Sequence, residues 1–219
     1  ISILLSLLTM APIVYAIKEF ASNGVTAVMV VTLLVGVVSG IVFVRRQLNR
    51  PAPMLDIRLF YRPQFSSAIL INLFSVVALS GGLLFITQHL QLVLGLSPIQ
   101  SGLVMLPGLI TMILAGLLIV PIAGRIRPRF VIPVAMLFTI AGYLMVALAG
   151  VDLSQQDILI AFILLGLGIG AAETVSNDLV IATAPARKAG AASAVSETAY
   201  ELGSVLGTAV LGTVLMSAY

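Results

Sequence analysis

Cysteine is absent from the 219 residues and histidine occurs once. Without cysteine there is no disulfide, no thiolate metal site and no cysteine nucleophile, and the compartment cannot be read from redox chemistry. A single histidine is too few for a conventional zinc site, and neither metal nor cofactor is expected. No GxxxxGK[ST] phosphate loop is present, so nothing points to energy from ATP bound by this chain. No Ser/His/Asp grouping can be placed either, and the chain is not read as an enzyme. Charge is the scarcest feature: Asp, Glu, Lys and Arg make up 9% of the residues, against about 25% in a soluble domain. Such a chain cannot cover its own surface with polar groups, which excludes an ordinary soluble fold.

What is abundant fits a membrane. Sixty per cent of the residues are hydrophobic, and the 19 glycines and ten prolines suit membrane helices, where both are commoner than in soluble ones. A bilayer core needs about 20 apolar residues per helix. Seven such runs are present, roughly 1–17, 25–44, 66–92, 98–123, 131–149, 158–177 and 190–217. They are continuous and long instead of alternating, so the expected fold class is an all-α integral membrane protein, not a β-barrel. The polar interruption from Arg45 to Arg62, with Pro51, Pro53 and Asp56, reads as a linker. Three segments follow: a helix pair at 1–44, a basic loop at 45–64 and a helical body at 65–219. The chain opens at Ile1 in an already apolar run that leads into further spans. It is read as an internal piece of a longer protein, not as one starting with a signal peptide.

Lys and Arg set the orientation. Ten of the 11 basic residues fall in three stretches: the 45–64 loop, the turn with Arg125, Arg127 and Arg129, and the turn with Arg187 and Lys188. If the seven spans alternate, these share one side and only Lys18 lies on the other. By the positive-inside rule the basic side is cytoplasmic. The cations are therefore topology determinants first and not a nucleic-acid footprint; contact with anionic membrane lipid is a secondary role.

Chemistry can reside in few places once loop charges are set aside. Glu173 lies in the sixth span, about five residues from the end of its apolar run; Glu197 and Glu201 lie well inside the seventh, at i and i+4, on one helix face. An acid at a helix centre costs about 2.5–3.5 kcal/mol on insertion scales, so a functional role is the default expectation for these buried acids. The structural alternative is that each is satisfied by a Ser, Thr or backbone partner and holds helices together. Ser193, Glu197, Glu201, Ser204 and Thr208 fall within about 80° of arc, a polar stripe suited to a water-filled cavity. Ala192, Ser196, Ala199, Gly203 and Gly207 form a second, small-residue stripe centred about 120° away. Gly203 and Gly207 make a small-xxx-small pair for close helix packing. Two carboxyls one turn apart titrate as a coupled pair, the physics of a proton relay. Asn72 either lines a cavity or bonds a neighbouring helix, Tyr200 is a cavity-lining candidate, and His89 suits a capping or interfacial role.

The run Ser196-Glu197-Thr198-Ala199-Tyr200-Glu201-Leu202-Gly203, with Ala184 to Val195 before it, resembles the thirteenth helix of the 14-span drug:proton antiporters of the major facilitator superfamily. Pro53-Met54-Leu55-Asp56-Ile57-Arg58-Leu59-Phe60 is similar to the segment before that family's ninth helix. Gln88 to Pro98, and Ser101-Gly102-Leu103 with Leu106-Pro107-Gly108, extend the likeness over nearly the whole chain. The resemblance implies that the first two spans are linker helices and the other five are the C-terminal half without its last helix. It also implies a bacterial inner-membrane pump whose missing N-terminal half supplies the rest of the cavity. Its partners would be protons, lipophilic cations such as quaternary ammonium compounds and dyes, and membrane lipid. Proton coupling and substrate binding would fall to Glu197, Glu201 and Glu173. Ser196 stands where some members carry a further acid, which leaves the proton count open. The alternatives are a lipid or amphiphile exporter of the same fold, or a non-transporting membrane scaffold.

Overall fold

Helices dominate because long apolar runs must satisfy every backbone N–H and C=O internally. The computed structural model describes residues 2–49, 57–150, 153–185 and 188–218. Arg50, Pro51, Pro53, Asp56, Asp152 and Arg187 lie outside the described residues. Seven long helices follow one another: α1 (Ser2–Asn23), α2 (Ala27–Leu48), α3 (Pro63–Gln88), α4 (Pro98–Ala123), α5 (Pro128–Ala149), α6 (Gln155–Thr183) and α7 (Ala189–Ala218). A 3-10 turn at Ile57–Tyr61 precedes α3, and a π-helical turn at His89–Val93 extends it. No strand occurs among the described residues. The helices run 22 to 30 residues, about 33–45 Å at 1.5 Å per residue, enough for a hydrocarbon core of about 30 Å. Five of them, α2 to α6, are long and apolar enough to cross a membrane on their described residues alone. Lys18 and Glu19 lie within α1, and Glu197 and Glu201 within α7.

Sequence-local chemistry starts these helices. Ser97 and Gln100 form a reciprocal capping box at α4, with Pro98 in the first turn. Ser154 and Asp157 do the same for α6: Asp157 accepts from the Ser154 N–H at 3.1 Å, and the Ser154 hydroxyl accepts from the Asp157 N–H at 3.2 Å. Thr26 caps α2 by accepting from the Met29 N–H at 3.1 Å, and Pro128 opens α5. Several helices outlast their apolar runs. Arg45 and Arg46 form the last turn of α2 instead of a loop, and α6 reaches Thr183. Backbone hydrogen bonding continues past the hydrocarbon edge wherever caps and interfacial polar residues allow it.

The chain divides into two compact units, residues 1–77 with 180–219, and residues 78–179. The division runs through α3 and α6, so the packed units do not follow the linear segments of the sequence. In the first unit, α1 and α2 form a hairpin in which Gly36 lies against Ile13 and the Thr9 carbonyl. The Arg62 guanidinium donates to the Thr183 carbonyl at 2.8 Å, a cation on the final turn of α6 where the helix dipole is negative. The second unit has a core of Ile86, Leu90, Phe162, Leu165 and Ile169. There α6 meets α4 and α5 through glycine: a Cβ on Gly166 would meet the Gly108 carbonyl, one on Gly170 the Met112 carbonyl, and one on Gly168 the Thr139 side chain. From the other side, a Cβ on Gly142 would stand 2.8 Å from the Ala161 carbonyl. These are backbone-to-backbone approaches that any side chain would prevent.

Candidate functional site

The seventh helix has two faces of opposite character. Ala192, Ser196, Ala199, Gly203 and Gly207 are all buried. A Cβ on Gly203 would lie 2.7 Å from the Leu73 carbonyl oxygen and 2.9 Å from the Val76 Cβ, which places α7 directly on the backbone of α3. One and two turns earlier this seam carries a polar link: Asn72 Nδ2 donates to Ser196 Oγ at 2.9 Å, with both side chains buried. The Asn72 Oδ1 and the Ser75 Oγ are buried beside the same seam without a hydrogen-bond partner among the described residues.

On the other face Ser193, Glu197, Glu201 and Thr208 are exposed, and Ser204 and Tyr200 are half-buried. The expectation that Glu197 and Glu201 are buried is corrected: the packed seam admits only small residues, so the acids occupy the surface it leaves open. Glu197 and Glu201 are one turn apart, about 5.4 Å of rise or slightly more. Ser193 donates its hydroxyl to the Ala189 carbonyl and Thr208 to the Ser204 carbonyl, at 3.1 and 2.9 Å. These hydroxyls thus bond to their own helix, a low-cost arrangement in an apolar setting. The chemistry of this face is two ionisable carboxylates flanked by hydroxyls.

Glu173 lies in the second unit. It lies about ten residues from the end of α6, deeper than its apolar run suggests. Its side chain is half-buried, and its Oε1 is enclosed without a hydrogen-bond partner among the described residues. An unsatisfied buried carboxylate oxygen is costly. His89 Nε2 lies 3.2 Å from the Leu153 carbonyl, and its ring stacks on Phe85 at 6.0 Å, so the histidine fastens the π-helical turn to the start of α6. Among the described residues, no three His, Cys, Asp or Glu side chains gather as a metal site would require.

The first unit also holds a mostly apolar cleft of about 530 Å³, lined by Thr9, Met10, Phe43, Phe60, Ala194 and Thr198 among others. It borders α7 on a face next to the acids, and neither glutamate lines it. The sequence left open that Asn72 bonds a neighbouring helix but did not point to Ser196 as its partner, because no local pattern links residues 124 apart. The burial of Ser75 and Ser176 had no signal beyond their place in apolar helices.

A profile described as Major Facilitator Superfamily matches residues 20–208. The chain belongs to the major facilitator superfamily. Among relatives in the superfamily, it is 49% identical to the "Multidrug efflux pump LfrA" of Mycolicibacterium smegmatis over 219 residues, 100% of this chain and 44% of that protein. It is 34% identical to the "Methyl viologen resistance protein SmvA" of Salmonella typhimurium over 192 residues, 86% of this chain and 38% of that one. It is 30% identical to the "Multidrug resistance protein Stp" of Mycobacterium tuberculosis over 213 residues, 97% of this chain and 40% of the relative. The chain thus spans less than half the length of the curated relatives it matches.

Proposed function

We propose that this chain is part of a proton-coupled efflux pump for lipophilic cations in a bacterial cell membrane, working by alternating access. The observation that carries the reading is the division of α7. Its small face is packed on α3, and its opposite region presents Glu197 and Glu201 one turn apart. In a complete transporter that acidic face would line a cavity completed by the half of the protein outside this chain. A cavity offering carboxylates and apolar walls accepts cations of many shapes, because it imposes charge without a set pattern of hydrogen bonds. The names of LfrA, SmvA and Stp support drug export as the task. Protonation of the pair would release a bound cation outward. The driving force is adequate, about 2.3 kcal/mol per charge per 100 mV and about 1.4 kcal/mol per pH unit.

The test is pH-driven efflux of a cationic dye by the full-length protein in membrane vesicles. A neutral amide mimics the protonated acid, so Glu197→Gln or Glu201→Gln should abolish or sharply reduce uphill efflux at near-normal expression. The Asp variants should keep partial activity with a displaced pH optimum, since a shorter carboxylate still titrates. Glu201, deeper along α7, should matter more for divalent cations. Unchanged efflux in the double Gln variant would refute the mechanism and leave the acids a structural role.

A further inference from the structure

The second unit carries a feature that efflux through α7 does not use. Between α4, α5 and α6 lies an open groove of about 430 Å³. Its walls are apolar throughout and include Ile122, Ile126, Phe130, Val134, Phe138 and Leu167. On α4 it extends from Ile122 back to Ala115, about 10 Å at 1.5 Å per residue, and Ile126 carries it into the α4–α5 turn. That is about two-thirds of one leaflet, whose depth is half of a hydrocarbon core of about 30 Å.

The shallow end of this groove is the α4–α5 turn, and it is strongly cationic. Arg125, Arg127 and Arg129 are all exposed there. None of them has an ion-pair partner among the described residues, and the sequence contains no acid between Asp56 and Asp152. The Arg129 guanidinium sits 4.7 Å from the centroid of the Phe130 ring, a cation–π contact with a wall of the groove. Charge and groove are therefore joined at one residue pair. The positive-inside rule explains arginines in a turn, but not an apolar channel opening beneath them. A lipophilic cation is the wrong occupant, because three unpaired guanidinium groups repel it at the entrance. A zwitterionic lipid fits the walls but brings no net charge to the mouth.

We propose that this groove is a binding site for an anionic phospholipid, with its phosphate held by Arg125, Arg127 and Arg129 and one acyl chain lying between α4, α5 and α6. Guanidinium groups suit the task because they offer forked donors to phosphate oxygens. The site is independent of the efflux mechanism and stands or falls separately from it.

The experiment measures lipid adducts on the full-length protein in detergent by native mass spectrometry, with dioleoyl phosphatidylglycerol against dioleoyl phosphatidylcholine. The parent should retain phosphatidylglycerol preferentially. Arg127→Gln with Arg129→Gln should lower that preference by roughly fivefold per arginine, while the corresponding Lys pair, which keeps the charge, should hold most of it. Val134→Trp fills the groove without touching charge and should reduce retention of the anionic lipid as well. Glycerol 3-phosphate, a headgroup without chains, should fail to compete at equal concentration. Equal retention of both lipids by the parent would overturn the proposal. So would unaltered retention in Val134→Trp, or full displacement by glycerol 3-phosphate, since either reduces the effect to surface charge.

Discussion

Replacing Gly203 with alanine tests the α3–α7 seam with a single methyl group. The new Cβ would stand 2.7 Å from the Leu73 carbonyl oxygen, 2.9 Å from the Val76 Cβ and 3.2 Å from its Cγ1. Optimal carbon contacts lie at about 3.5–4.0 Å, so α7 must retreat by roughly 1 Å. Neither obstacle can swing aside, one being backbone and the other a branch point. Overpacking of this kind costs about 1–3 kcal/mol. The retreat also stretches the 2.9 Å Asn72–Ser196 bond beyond useful length, a further loss of about 0.6 kcal/mol by membrane-protein averages. Against this, alanine gains about 1 kcal/mol over glycine in helix propensity. The net expectation is a loss of about 0.6–2.6 kcal/mol and a correspondingly lower thermal midpoint. The assay is the thermal midpoint of the full-length protein followed by size-exclusion chromatography. Gly102→Ala is the matched control, since a Cβ there meets nothing within 4 Å, and it should hold or raise the midpoint. Gly203→Leu should impair assembly outright. A midpoint for Gly203→Ala at or above the parent value would refute the close-contact reasoning.

Two further outcomes are expected. A cysteine placed in the 45–64 loop is the first thiol of this stretch, because the chain has none. It should be shielded from an impermeant thiol reagent in intact cells, and ready labelling would reverse the orientation. Ser196→Ala and Asn72→Ala should each lower stability, and a double-mutant cycle should give a coupling of about 0.6 kcal/mol, at most about 1.7; zero coupling would show that the 2.9 Å bond contributes nothing.

The spans were legible because a bilayer imposes length and apolarity, which are properties of contiguous sequence. Pro98, where the fourth apolar run begins in the sequence, opens α4 in the fold. Helix ends were less legible: Glu19 and Thr183 lie past the apolar runs but remain helical, since helical hydrogen bonding does not depend on lipid. On α7 the 100° periodicity separated two stripes, and the stripe of small residues is the one that is buried. The surroundings of each stripe were not legible. Burial of Glu197 and Glu201 was inferred from depth along the helix, whereas side-chain burial depends on which neighbour packs on which face. Partners far apart in sequence, such as Asn72 with Ser196 or Tyr143 with the Ala78 carbonyl, leave no local trace.

The glycine contacts of α6 have a mechanical consequence. Side chains between helices act as a compliant layer, because rotamers can adjust as one helix slides over another by small shear steps. At Gly166 and Gly170 against α4, at Gly168 against α5, and at Gly142 from α5, that layer is missing and backbone rests on backbone. Such a joint has little travel before atoms collide, and close-packed protein resists compression. The three helices should therefore respond to force as a single stiff strut. Displacement imposed at one end of α6 within this unit should reach α4 and α5 nearly undiminished, instead of being absorbed along the way.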